Sequence, residues 1–79
     1  MTREEIFEGL NEVFKDVFDD DEIVVTENTT SDDIEDWDSL EHINLIVATE
    51  KKFGVKFTMS EVTGMKNVGE MADIIAQRA

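Results

Sequence analysis

From Ile6 to Phe18 the chain repeats its apolar side chains with a single period. Ile6, Leu10, Val13, Phe14, Val17 and Phe18 fall on one stripe of an α-helix. A helix of this kind cannot bury its own face, so the rest of the chain must supply elements that cover it. Thr2, three residues before Glu5, has the spacing of a capping box and predicts the start of the helix. Asp19-Asp20-Asp21 predicts its end, because acidic charge is unfavourable at the negative end of the helix dipole.

From Asp19 to Asp38 no helical period persists, and Asp, Glu, Thr, Asn and Ser dominate. A connection this long in a small domain is either functional or misassigned. Ile23, Val24, Val25, Ile34 and Trp37 are spaced to pin it to the core as an ordered loop, with a short turn of helix or strand near Ile23 to Thr26 left open. A second helix is predicted from Ser39 to Phe53, with Gly54 placed for a left-handed cap. Leu40, Ile43, Ile46 and Val47 form one apolar arc of it, while Leu45 and Ala48 lie off that arc. Such a helix packs on two sides or leaves apolar surface for a partner.

Val55-Lys56-Phe57 reads as an extended linker with Val55 and Phe57 turned inward, and Ser60 to Thr63 as at most one helical turn before Gly64. A last helix is predicted to start at Asn67, with Glu70 in a box-like position, and to bury Val68, Met71, Ala72 and Ile75. The fold class is therefore all-α: three main helices and one short one in a small bundle, with a long loop between helices 1 and 2. Residues 1–79 read as a single domain.

A chain of this size buries little surface and has thin stability. It has no cysteine and only one histidine, which excludes disulfides and a Cys/His zinc site, so helix packing must supply the core. Twenty acidic residues against seven basic ones give a net charge of -13. That field opposes nucleic-acid binding and favours partners with basic surfaces. No run approaches the roughly 18 apolar residues of a membrane span. The acidic start Met-Thr-Arg-Glu-Glu lacks the apolar core of a signal peptide, and the chain reads as cytoplasmic.

The stretch that carries chemistry is Asp36-Trp37-Asp38-Ser39-Leu40-Glu41-His42-Ile43. Ser39 stands where a polar loop meets the first turn of a helix, beside unpaired backbone N–H groups. An anion attached there is favoured by the helix dipole. By position alone, Ser39 or Asp38 is simply an N-cap.

Asp38-Ser39-Leu40-Glu41, the apolar helix after it and its close at Glu50-Lys51-Lys52-Phe53-Gly54-Val55-Lys56-Phe57 together resemble the acyl carrier protein family. The similarity runs on through Met65-Lys66-Asn67-Val68-Gly69-Glu70-Met71 and includes the first helix. The resemblance implies an acyl-carrier-like bundle with Ser39 as the attachment point of a 4'-phosphopantetheine arm, and Asp38 as the acidic neighbour that assists modification. Thioester carriage needs a thiol, which this chain lacks and the arm supplies. The function implied is to tether acyl intermediates and present them to enzymes of fatty-acid, polyketide or related specialised biosynthesis. The protein itself would be non-catalytic, without a metal, and a monomer. Its implied partners are a phosphopantetheinyl transferase and acyl-transferring or acyl-activating enzymes. Glu35, Asp36 and Glu41 are expected to meet their basic surfaces, with Leu40 and Val47 as apolar contacts.

The chain departs from the housekeeping fatty-acid pattern where Asp36-Trp37 replace Gly-Ala, Asn44 replaces a glutamate, Lys51 and Lys52 replace acidic residues, and Thr49 replaces a common leucine. These departures favour a specialised stand-alone carrier. Other readings are a peptidyl carrier or an unmodified acidic interaction module. A hydrolase built on Ser39 and His42 lacks a Gly-x-Ser-x-Gly elbow, and His42 reads better as a surface residue of the recognition helix. A calcium site at either acidic run lacks the glycine of an EF-hand loop.

Overall fold

Each helix begins on a side chain that the local sequence supplies. The computed structural model describes all residues, Met1–Ala79, as α1 (Arg3–Phe18), a short 3-10 turn (Ser31–Asp33), α2 (Ser39–Phe53), α3 (Met59–Gly64) and α4 (Val68–Arg78). There are no strands, and no helix is long and apolar enough to cross a membrane. Thr2 Oγ1 accepts the Glu5 N–H, and the Glu5 carboxylate accepts the Thr2 N–H at 2.9 Å, closing the expected capping box. These bonds hold the Glu5 carboxyl below its usual range. The helix ends at Asp19, whose backbone is left-handed (φ 50°), a conformation Asp tolerates better than most residues.

The stripe on α1 becomes the core. Ile6, Leu10, Val13, Phe14 and Phe18 are buried together with Leu45 and Ile46 of α2, Val62 of α3, and Val68, Met71, Ala72 and Ile75 of α4. Val17, at the edge of the stripe, is only partly buried. Gly9 allows α2 to approach closely, since a Cβ there would lie 2.6 Å from the ring of Phe53.

The connection from Asp19 to Asp38 is ordered, though not quite as its sequence suggests. Val25 is buried, and Ile23, Ile34 and Trp37 pack partly against the core, but Val24 is 72% exposed. Adjacent residues of extended backbone point to opposite sides, and Val25 takes the inner one. The Asn11 side chain holds it there: Asn11 Oδ1 accepts the Val25 N–H at 2.7 Å. Neither helix nor strand forms at Ile23 to Thr26, and the only regular turn, Ser31–Asp33, is capped by Thr30.

Further along, the carbonyls of Thr29 and Glu27 accept the N–H groups of Val68 and Gly69 at 2.9 and 3.0 Å. These would otherwise be orphan donors at the start of α4. Gly69 is needed for that approach, as a Cβ would stand 2.7 Å from the Glu27 carbonyl oxygen. Arg3 closes the same seam by pairing with Glu27 and with Asp73 of α4.

Helix α2 has the expected bounds, with Gly54 left-handed (φ 67°) at its end. Its orientation leaves apolar surface open, one of the two arrangements the sequence allowed. Leu45, Ile46 and Thr49 face the core, while Leu40, Ile43 and Val47 are 71%, 48% and 43% exposed. Of the predicted arc, only Ile46 is buried. Val55 is buried and Phe57 half-buried in the extended linker, as expected. The short helix is longer than one turn and starts earlier, at Met59, because Thr58 and Glu61 form a third capping box. In α4 the cap is Asn67 itself, which accepts the Glu70 N–H, but the Glu70 carboxylate accepts from Lys66 instead of closing a box.

Arg78, at the end of α4, donates to both carboxylate oxygens of Glu61 at 2.6 Å and to the Lys56 carbonyl at 2.9 Å. This pairing, with the Thr58 backbone bond, holds the Glu61 carboxyl at about 2. A carboxyl depressed in the folded state contributes stability above its unfolded value and loses it as pH falls through the folded one. Glu61→Gln should therefore lower the thermal midpoint at pH 7. The gap from the parent should close as pH falls from about 4.5 towards 2. Comparing the two proteins cancels the relief of general acidic repulsion. A gap that persists undiminished at pH 2 would show that the ion pair is not its source.

Candidate functional site at the start of α2

The approach to α2 is set by an aromatic wedge. Trp37 packs edge-on against Phe14 (ring centroids 5.3 Å apart, 78° between planes), lies 6.3 Å from Phe18 and stacks on His42 at 5.9 Å and 26°. Its indole N–H donates to His42 Nδ1 at 3.0 Å, and His42 Nε2 lies 3.0 Å from the Val62 carbonyl oxygen. An indole N–H can only donate and a carbonyl can only accept. His42 Nδ1 is therefore the acceptor, and Nε2 carries the proton and donates to Val62. His42 is half-buried, bridging the loop before α2 to α3, which corrects its reading as a surface residue. Both ring nitrogens are engaged, so neither is free to act as a base for Ser39. The geometry removes the hydrolase reading.

Two residues past Trp37 the helix starts on Asp38. Its backbone is extended (φ -106°, ψ -174°), and its Oδ1 accepts the Glu41 N–H at 2.8 Å. The Asp38 carbonyl takes the His42 N–H, also at 2.8 Å. Asp38 is thus the cap, and Ser39 is the first helical residue, exposed and released from capping. Its hydroxyl stands at the positive end of the α2 dipole, where an attached phosphodiester is favoured by roughly 0.3–1 kcal/mol.

The other predicted site residues gather around it. Glu35 and Asp36 are exposed on the loop, and Glu41 is half-buried in the first turn, its carboxylate accepting from Asn44 Nδ2 at 2.8 Å. Leu40 and Val47 share one exposed arc, about 10 Å apart along the axis. The sequence reading missed three things here. Ile43 lies on the exposed arc between them, Met59 of α3 adds a further exposed apolar side chain (73%), and Trp37 and His42 form a bonded pair. The i, i+3, i+7 spacing of Leu40, Ile43 and Val47 was visible in the sequence, but not the face it would occupy.

Beside Ser39 a cleft of about 500 Å³ opens between the loop, α2 and α3. Trp37, His42, Val62 and Met71 line it, with Lys66 and Thr63 also contributing. No three His, Asp or Glu side chains converge where a metal ion could be held.

Residues 8–75 match a family model described as "Phosphopantetheine attachment site". The chain is 39% identical to the acyl carrier protein of Acidothermus cellulolyticus, over 96% of this chain and 90% of that protein. It is 35% identical to the meromycolate extension acyl carrier protein of Mycolicibacterium smegmatis, over 94% of this chain and 75% of that protein. Among solved structures, holo acyl carrier protein from Geobacter metallireducens superposes with a TM-score of 0.85 at 44% identity, covering 91% of this chain and 83% of that one.

The cap can be separated from the charge by substitution. Asp38→Ala removes the acceptor for the Glu41 N–H and should cost about 1 kcal/mol. For a chain of this size that lowers the thermal midpoint by about 4–8 °C. Asp38→Asn retains a capping oxygen and should stay close to the parent. Equal losses in the two variants would mean that the charge, not the cap, is what Asp38 contributes to folding.

Proposed function

The chain belongs to the acyl carrier protein family, and from that premise we propose that Ser39 is the residue bearing its phosphopantetheine arm. The observation that carries this reading is the division of labour at the start of α2. Asp38 caps the helix, and the exposed Ser39 hydroxyl is left to be modified at the positive end of the dipole. The arm supplies the thiol that holds an acyl group as a thioester. The chain itself contributes the attachment oxygen, a rigid base for the tether and a surface that enzymes recognise. In this reading residues 1–79 act as one non-catalytic, cytoplasmic, monomeric carrier domain. Asp38 assists modification by a phosphopantetheinyl transferase.

The test is direct. Incubation with coenzyme A and a broad-specificity phosphopantetheinyl transferase should add one phosphopantetheine mass to the protein, and Ser39→Ala should accept none. Modification persisting in Ser39→Ala, or absent with several transferases, would return the chain to an unmodified acidic interaction module.

Acyl-transferring and acyl-activating enzymes dock, in this reading, on the Leu40–Ile43–Val47 arc and its acidic rim of Glu35, Asp36 and Glu41. Rim charges act mainly on the association rate and its salt dependence. Glu41→Lys should slow association with a cognate enzyme several-fold at low salt, and added salt should shrink the difference. An effect that is independent of salt would place Glu41 outside the electrostatic rim.

A further inference from the structure

Ser39 lies inside a short stretch of chain that a side-chain hydrogen bond closes from both ends. The Trp37 indole N–H donates to His42 Nδ1 at 3.0 Å across Asp38, Ser39, Leu40 and Glu41, and the two rings stack. Trp37 is seated on Phe14 and Phe18 of α1, and His42 Nε2 lies 3.0 Å from the Val62 carbonyl oxygen of α3. The cap of α2 is made within the closed stretch. Asp38 Oδ1 accepts the Glu41 N–H and the Asp38 carbonyl accepts the His42 N–H, each at 2.8 Å. Both bonds need Asp38 to keep its place against the first turn. The Trp37–His42 bond fixes the residue just before Asp38 to the residue that receives its carbonyl.

That bond exists in one protonation state only. Neutral imidazole can accept at Nδ1, whereas in the protonated ring both nitrogens donate. The indole N–H is a donor and has nothing else to offer Nδ1. A proton there also puts positive charge in the first turn of α2, at the positive end of its dipole. Neither ring nitrogen bonds to a carboxylate that would hold the proton in place. Of the charged groups around the ring, Asp38 and Lys66 line the cleft with it and act in opposite senses. Glu41, its neighbour in α2, accepts from Asn44. Helix α3 meets the ring with the Val62 carbonyl, α4 lines the cleft with Met71, and α1 meets the pair through Phe14 and Phe18 on Trp37.

We infer that the Trp37–His42 pair is a proton-sensitive brace on the attachment serine. With His42 neutral it holds Asp38-Ser39 in the geometry that the phosphopantetheinyl transferase takes up, and a proton on Nδ1 releases it. Both side chains are positioning residues. The consequence for arm transfer rests on Ser39 as the attachment point, whereas the brace can be measured without the arm.

The chain has one histidine and one tryptophan, so the His42 ring and Trp37 indole resonances can be followed unambiguously by NMR as pH falls. Hydrogen exchange at the Glu41 and His42 amides, corrected for the intrinsic rate at each pH, measures the cap on the unmodified whole chain. Protection of these two amides should fall about fivefold, the factor that one net hydrogen bond is worth, in step with protonation of His42. Amides in the middle of α1 should keep theirs. Trp37→Phe keeps an aromatic ring on the core but removes the N–H, and should show the lower protection at every pH without a step. Circular dichroism confirms the helical fold, and the titration of the parent carries the test if Trp37→Phe does not fold. Protection that ignores the state of His42, or a His42 that takes its proton only as the helices unfold, overturns the brace.

Arm transfer from coenzyme A is then compared with His42 neutral and with it protonated. In that step the Ser39 oxygen bonds to the phosphorus next to the pantetheine. The bond from that phosphorus to the bridging oxygen breaks, adenosine bisphosphate leaves, and the hydroxyl proton passes to a base of the transferase. The ratio of the parent rate to the Trp37→Phe rate cancels the pH dependence of the transferase itself. It should be about fivefold with His42 neutral and close to one with His42 protonated. If mass spectrometry finds no arm on Ser39 of the parent, the attachment reading falls and takes this consequence with it. With Ser39 modified, a ratio that does not change with the state of His42 overturns the proposal.

Discussion

The ring of Phe14 is where α1, the long connection and the start of α2 meet. It is fully buried, and Trp37 stands edge-on against it at 5.3 Å. An aromatic pair in this geometry contributes about 0.5–1.5 kcal/mol beyond the area it buries. Its larger effect is positional. The connection from Asp19 to Asp38 has almost no regular structure, and a tether of that length, left free, would let the first turn of α2 wander. With Trp37 seated on Phe14 and Phe18, the backbone one residue later is placed for Asp38 to cap the helix. Ser39 follows on a fixed base. A chain of this size without disulfides has few other means of ordering a loop.

Charge is distributed with the same economy. Three of the seven cations tie seams between elements: Arg3 binds Glu27 and Asp73, Lys52 binds Glu12, and Arg78 binds Glu61. Exposed pairs of this kind add little stability individually. Here they join elements far apart in the chain, such as the start of α1 to α4. Between Asp32 and Glu41, by contrast, Asp32, Asp33, Glu35, Asp36, Asp38 and Glu41 stand without a basic residue among them. Six of the acidic residues thus lie within seven positions of Ser39. On the proposed reading, their negative charge steers basic partners to the surface that carries the exposed apolar arc.

The departures from the housekeeping pattern of the family acquire physical content in the structure. Trp37 wedges the loop onto the core and bonds to His42. Thr49, fully buried in α2, donates its hydroxyl to the Leu45 carbonyl at 2.7 Å. Its polar atom is thus satisfied within its own helix, and the core has no orphan group to accommodate. Similarity extends both to carriers named simply as acyl carrier proteins and to carriers named for meromycolate extension. The surface and the cleft beside Ser39, not the bundle, are where such carriers can differ.

What the sequence determined by itself was the local structure: the α1 stripe, the Thr2–Glu5 box, the bounds Ser39–Phe53 with Gly54 beyond them, and Asp38-Ser39 at a helix start. These are legible because capping and helical period act over three or four residues, all of them adjacent in the chain. Where such a signal competed with another at the same range, small errors followed, as when Thr58 extended α3 to Met59. Only the tertiary structure decided which side of α2 faces inward. That helix carries apolar residues on more than one face, and α1 selects the Leu45–Ile46–Thr49 face through contacts some thirty residues away in sequence. The same holds for Val24 and Val25, where Asn11 chose the inner residue, and for His42, whose partner Val62 lies twenty residues on. Periodicity reports that a face is apolar. What covers that face, or leaves it open beside Ser39, depends on long-range packing that no local pattern encodes.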